Sequence, residues 1–139
     1  MENDKMNFKI LENATKALKT GGKFIFTCLN ALFPLYHSVK DFINENLNEG
    51  TTETDTFDLM TFRDITTFKI NDDNGVEKTL NCNERYFAPS EITWYLKMLK
   101  FKKIDIFGCK LGKFSRNDKL NTEDYEMLVI TEKYYSKFA

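Results

Sequence analysis

The sequence predicts an α/β fold, a partial open sheet layered with helices and carrying an inserted antiparallel β-hairpin. Three observations predict it. Residues 16–30 (KALKTGGKFIFTCLN) carry an amphipathic helix through a Gly-Gly joint straight into an apolar strand. Residues 57–70 and 76–88 switch to period-two alternation around Asn74-Gly75, the strongest short hairpin signal. Near the end, residues 102–108 and 125–132 read as strands joined by a long polar connection with no helix between them.

The elements follow in order. Asn3 or Asp4 caps a first helix whose inner face holds Phe8, Leu11, Thr15 and Leu18. Gly21 or Gly22 takes the left-handed conformation that closes a helix without a Cβ clash. Phe24, Ile25, Phe26, Cys28 and Leu29 are too continuously apolar for a half-wet strand, so strand 23–29 is expected to be parallel and buried on both faces. Pro34 marks the turn into a second helix over about 35–48, with Val39, Phe42, Ile43 and Leu47 at helical spacing. Residues 50–55 (GTTETD) read as a polar, acidic, flexible loop.

In the hairpin, Met60, Phe62, Thr66, Phe68 and Ile70 are placed on one face of the first run, and Val76, Leu80, Cys82 and Tyr86 on one face of the second. Pro89-Ser90-Glu91 opens a third helix with Ile92, Tyr95, Leu96 and Leu99 as its buried stripe. Strand 102–108 follows, then a connection with a turn at Asn117-Asp118. A last strand, apolar from Met127 to Ile130, is expected to slot between its neighbours as an antiparallel return.

The 139 residues fit a single domain, 1–139, with the hairpin at about 57–88 as a cap. Lys and Arg total 20 against 21 Asp and Glu, so there is no basic footprint and no nucleic-acid partner is expected. Cys28, Cys82 and Cys109 are odd in number and form no CxxC, which suggests neither a disulfide framework nor a zinc site. Asp72 and Asp73 read as turn chemistry, because no further ligand follows at calcium spacing. The charged start lacks an apolar signal region, and the longest apolar stretch, 31–36, is far below the roughly 20 residues that span a bilayer. A cytoplasmic protein with no membrane partner is the expectation.

Four stretches in this order resemble the carboxyl-terminal half of class I, Rossmann-like S-adenosylmethionine-dependent methyltransferases of the small-molecule branch. They are residues 11–26 (LENATKALKTGGKFIF), 84–92 (ERYFAPSEI), 96–101 (LKMLKF) and 126–133 (EMLVITEK). They look like the family's helix before strand five with that strand, the R-Y-x-x-x-x-E approach to the last helix, its usual L-x-x-x-G-F ending, and strand seven. Lys100 stands where the family normally has Gly, a departure that bears on the turn. The resemblance implies strands five to seven of the methyltransferase sheet, with the last strand antiparallel, and a substrate-side cap in the hairpin. It also implies S-adenosylmethionine as cofactor and a small-molecule methyl acceptor. The family holds its cofactor on a glycine-rich loop after strand one. The six glycines here form no GxG triplet, so this chain alone is expected to bind the cofactor weakly or not at all. A fragment or split half is the expectation, paired with the missing amino-terminal half or with a second copy, as a dimer, through the edge of strand 23–29. A non-catalytic interaction module or truncated remnant pairing through the same edge is the alternative.

Candidate site residues follow from position and chemistry. Asn30 ends the strand at the side where open α/β sheets bind ligands, and reads equally as a cap after the strand. His37 is the only histidine and the candidate base; the other reading is an exposed residue at a helix start. Arg85 and Tyr86 match the family's R-Y pair. Arg85 suits a substrate carboxylate, or pairs with Glu77. Arg63 on the facing strand has the same two readings, and Tyr36 completes the substrate-binding set. Trp94 and Tyr95 read as core or as a partner-facing patch.

Overall fold

A computed structural model describes residues 3–39, 52–110 and 113–134. The chain divides into two compact units, one built mainly from residues 34–86 and the other from residues 3–33 with 87 onward.

The second unit is a three-stranded sheet with helices. Helix α1 spans Asp4–Ala17, with the Asn3 side chain accepting from the Met6 N–H at 2.9 Å. Strand β1 spans Lys23–Asn30 and helix α2 covers Leu32–Tyr36, where the chain passes into the other unit. Helix α3 is Pro89–Met98, β5 is Phe101–Cys109 and β6 is Glu126–Lys133. The last strand lies between the other two, in the order β1-β6-β5, and is antiparallel to both, as its apolar run predicts. The register sets Ile25 opposite Ile130 and Ile106 opposite Val129.

The Gly-Gly joint is closed from the far end of the chain. Gly21 has φ +74, and a Cβ on Gly22 would sit 2.8 Å from the Lys19 carbonyl. Gly21 N–H donates to the Lys133 carbonyl at 3.2 Å, and Lys133 N–H returns a bond to Gly22 at 2.9 Å. The Lys133 ammonium donates to the Thr15 and Leu18 carbonyls, at 2.6 and 2.7 Å, which places a cation on the negative end of α1.

The larger core of this unit lies on one face of the sheet, and a smaller buried cluster of Cys109, Leu128 and Ile130, with Phe107 packed against it, lies on the other. Phe87, Ile92, Leu96, Phe101, Met127 and Val129 form the larger core, with Phe24, Phe26 and Cys28 packed on it. Strand β1 therefore differs from the expected parallel strand buried on both faces. Its neighbour within the unit is the antiparallel β6, and Ile25 on the other face is 58% exposed. Helices α1 and α3 bring apolar side chains to one face only: Leu18, just beyond α1, and Tyr95 and Leu99 at the end of α3 join the cluster with Phe24 and Phe26.

The other unit is an antiparallel sheet, with β2 at Thr52–Asp58, β3 at Arg63–Asn71 and β4 at Glu77–Phe87, whose last residue belongs to the second unit. The Asn-Gly hairpin forms as predicted: Gly75 has φ +77, and the Asp72 carboxylate accepts from the Asn74 and Val76 N–H groups. Two expectations are corrected. The stretch expected as a flexible acidic loop contributes most of β2, because Thr54, Asp55 and Thr56 alternate between faces and Phe57 anchors the strand by burial. The first alternating run is also broken by a turn. Asp58 accepts from the Met60 N–H and the Thr61 hydroxyl, Phe62 has φ +53, and Met60 is 92% exposed instead of sharing the strand's face. Pro34 lies inside α2 and not ahead of a helix; the expected helix over 35–48 falls mostly outside the described residues.

Candidate functional site

At the carboxyl end of β1 the polar groups are tightly interlocked. Asn30 is fully buried, and its amide nitrogen donates to the Asp124 carbonyl at 2.7 Å and the Asn121 carbonyl at 3.3 Å. Its side-chain oxygen accepts from the Leu32 N–H at 3.1 Å, starting α2. Its own N–H donates to the Tyr125 carbonyl, and the next residue, Ala31, donates to the Phe87 carbonyl. Asp124, also buried, accepts from the Asn121 N–H at 2.9 Å. Its carboxylate approaches Gly108 so closely that a Cβ there would lie 2.4 Å away, which explains a glycine inside β5. Asn30 thus holds the loop before β6 against the end of β1. Its geometry is that of a cap and fastener, one of its two readings.

The other candidates lie in the unit of residues 34–86. Tyr36 ends α2, is well exposed, and its ring meets that of His37 edge-on at 6.0 Å. Arg63 and Arg85 are directly opposite across β3 and β4, so both guanidinium groups leave the same face of the sheet. Arg63 is buried and donates to the Asn83 side-chain oxygen at 2.9 Å. Arg85 donates to the Tyr86 carbonyl, while Glu77 pairs with Lys69 at 3.1 Å. Tyr86 is fully buried on the opposite face, with its ring against Phe57 at 5.6 Å. Arg63, Arg85, Asn83 and Tyr86 therefore cluster at one end of this sheet. His37 and Tyr36 share its unit, and Asn30 belongs to the other unit.

One feature escaped the sequence reading. Asp64 is buried on β3, and its carboxyl is pushed up to about 8. Burial is the main cause, followed by a hydrogen bond and charge repulsion from Asp55, then repulsion from Glu84. The register explains the crowding: Asp64 faces Phe57 and Glu84, with Asp55 on the same face one step diagonally away. Such a pair holds one proton near neutrality and can release or accept it. Alternation across 54–66 was the available signal, and the acidic composition of the segment obscured it.

The cysteines are free thiols, and burial beside Glu126 pushes Cys28 up to about 12. Among the described residues no cluster of His, Cys, Asp or Glu could hold a metal, and no helix is long and apolar enough to cross a membrane. Tyr95 packs edge-on against Phe8 and Phe87, whereas Trp94 is 67% exposed.

Helix, joint, strand, strand insertion, helix and two antiparallel strands with the last in the middle define a Rossmann-like methyltransferase fold. Two solved structures resemble the chain. An S-adenosylmethionine-dependent methyltransferase from Clostridium acetobutylicum ATCC 824 matches with TM-score 0.64 and 16% identity over 96% of this chain. The CcbJ methyltransferase from Streptomyces caelestis matches with TM-score 0.61 and 12% identity over 93%. At these identities the likeness is one of fold. The chain spans about half of each, 53% in both cases. No protein-family model and no curated protein matches the sequence.

Proposed function

We propose that this chain is the carboxyl-terminal, substrate-side portion of an S-adenosylmethionine-dependent methyltransferase, transferring a methyl group to a small molecule when completed by a glycine-rich cofactor-binding half. One observation carries this reading: nearly the whole chain matches only about half of a methyltransferase, and its glycines form no GxG loop. In-line methyl transfer needs an acceptor held against the methyl group and a base for the acceptor's proton. Within the unit of residues 34–86, His37 is assigned as that base, with Tyr36, Arg63 and Arg85 as substrate contacts; Tyr86, expected among them, is instead fully buried against Phe57 on the opposite face and packs the sheet. Two guanidinium groups on one face suit an acceptor bearing a carboxylate. Asn30 is assigned a positioning role, because its hydrogen bonds hold the 121–125 loop.

Calorimetry with S-adenosylmethionine tests the division. The isolated chain is expected to give no binding heat, and the assembly recovered from native cells through a tag on this chain is expected to bind. Micromolar binding by the isolated chain, or an assembly without a glycine-rich half, overturns the reading. The exposed Ile25 on one face of β1 favours a second reading, a non-catalytic module that dimerises through that face. Light scattering showing a stable dimer that never binds cofactor would select it.

A further inference from the structure

The seven residues 97–103 (KMLKFKK), which join α3 to β5, hold four lysines. Leu96, Leu99 and Phe101 turn inward to the core, which leaves Lys97, Met98 and Lys100 outside. Trp94 lies one turn before Met98 on the same outer side of the helix, and the two are 67% and 64% exposed. Tyr134 continues the surface. Its N–H donates to the Lys100 carbonyl at 3.1 Å, its ring centre lies 4.9 Å from the Lys102 ammonium, and it is 53% exposed. Two of these lysines are kept against a steric cost. Lys100 has φ +61, and Lys103, at the irregularity in β5, has φ +51. Glycine is unstrained in that region and lysine is not, so a cation stands where the backbone alone would select glycine. A cation in the last turn of a helix suits its negative end, which accounts for Lys97. It accounts neither for the exposed tryptophan and methionine beside it nor for the strained Lys103 within a strand. Lys103 pairs with Glu132 at 3.3 Å, and among the described residues no ion pair joins Lys97, Lys100 or Lys102 to an acid. The formal charge of −1 averages over 139 residues, whereas the fold gathers these cations at one corner.

We propose that the end of α3 and the start of β5 form a docking surface for an anionic membrane face, with Lys97, Lys100 and Lys103 against the lipid headgroup charges and Trp94 and Met98 at the headgroup boundary. Three features favour that partner. Lysines act as point charges suited to a diffuse anionic surface, and no arginine fork stands among residues 94–103. Tryptophan beside lysine is the pairing that settles at a lipid headgroup layer. Strand β6 separates β5 from β1, so the surface is remote from the strand edge at which another half would pair. The short apolar stretches that argue against a membrane span leave such surface binding open.

Trp94 is the only tryptophan in the chain, so its emission reads the contact directly. The test mixes the full chain at low salt with phosphatidylcholine vesicles containing roughly one-quarter phosphatidylserine, and with phosphatidylcholine vesicles alone. Cosedimentation and a blue shift of Trp94 emission are expected with the anionic vesicles only, and both are expected to be lost at about 0.5 M salt. Lys100→Gly combined with Lys103→Gly is expected to weaken partitioning roughly 25-fold, at roughly fivefold per lysine, while the thermal midpoint does not fall. No binding to anionic vesicles, equal binding to neutral ones, binding without the Trp94 shift, or full binding by the double variant overturns the surface. Binding to single-stranded RNA or polyglutamate without binding to vesicles overturns it in favour of that polyanion.

Discussion

Asn30 donates to two carbonyls and accepts from one N–H inside a site closed to water. An alanine there leaves those three groups without partners, at a cost of about 2–4 kcal/mol in urea unfolding. Asp is nearly isosteric but has no donor when ionised, so it sets a negative charge against the Asp124 and Asn121 carbonyls. Asn30→Asp is expected to be more destabilising than Asn30→Ala; the reverse order would mean that the donors are not what holds the loop. Asp64 makes the opposite kind of demand. Its folded pKa of about 8 stands above the ordinary 3.8, so the folded chain keeps a proton that the unfolded chain releases. The resulting stability is fully present below the unfolded value and drains away as pH rises through about 8. Asp64→Asn is expected to remove that slope, matching the wild type at the acid end of the window and exceeding it in urea midpoint at the alkaline end. Parallel stability curves for the two proteins would dismiss the site. Asn30 was legible in the sequence because strand ends follow a rule. Asp64 was not, because its chemistry depends on which strand lies beside it.

At the scale of elements, local signals with a single cause were readable and those needing a partner were not. Asn74-Gly75 fixed a turn, Pro89 and Glu91 fixed the start of α3, and the run 127–130 fixed a central strand. Strand β2 was hidden, because its Thr and acidic residues resemble a loop until Phe57 finds its place beside Tyr86. The join between α3 and β5 belongs with the readable signals. Lys100 has φ +61, its N–H closes on the Lys97 carbonyl, and its carbonyl accepts from Tyr134. A lysine pays a steric penalty in that conformation which glycine does not. Lys100→Gly is expected to raise stability by about 0.5–1 kcal/mol, seen as a higher thermal midpoint. A lower midpoint would show that the lysine side chain contributes more than its backbone strain.

For the whole molecule, the strand order β1-β6-β5 was legible because an apolar final strand after a long polar loop has few places to go. The division into two units was not, since period-two alternation reads the same in a cap and in a separate sheet. The second unit has what an independent fold requires. Its core runs from Leu18 and Phe24 to Ile92, Leu96, Met127 and Val129, all outside residues 34–86. Its two chain crossings are adjacent, because the Ala31 N–H donates to the Phe87 carbonyl at 3.0 Å. A short Gly-Ser linker joining Phe33 to Phe87 therefore closes the chain at little entropic cost. The excised protein is expected to unfold in one cooperative transition, with a smaller denaturant slope in proportion to the surface removed. Its near-ultraviolet signal from Trp94 and Tyr95 should persist, since the Phe8–Tyr95 and Phe87–Tyr95 ring pairs remain. A broad transition with loss of that signal would mean that this core needs residues 34–86 to hold it, and that the two units fold as one.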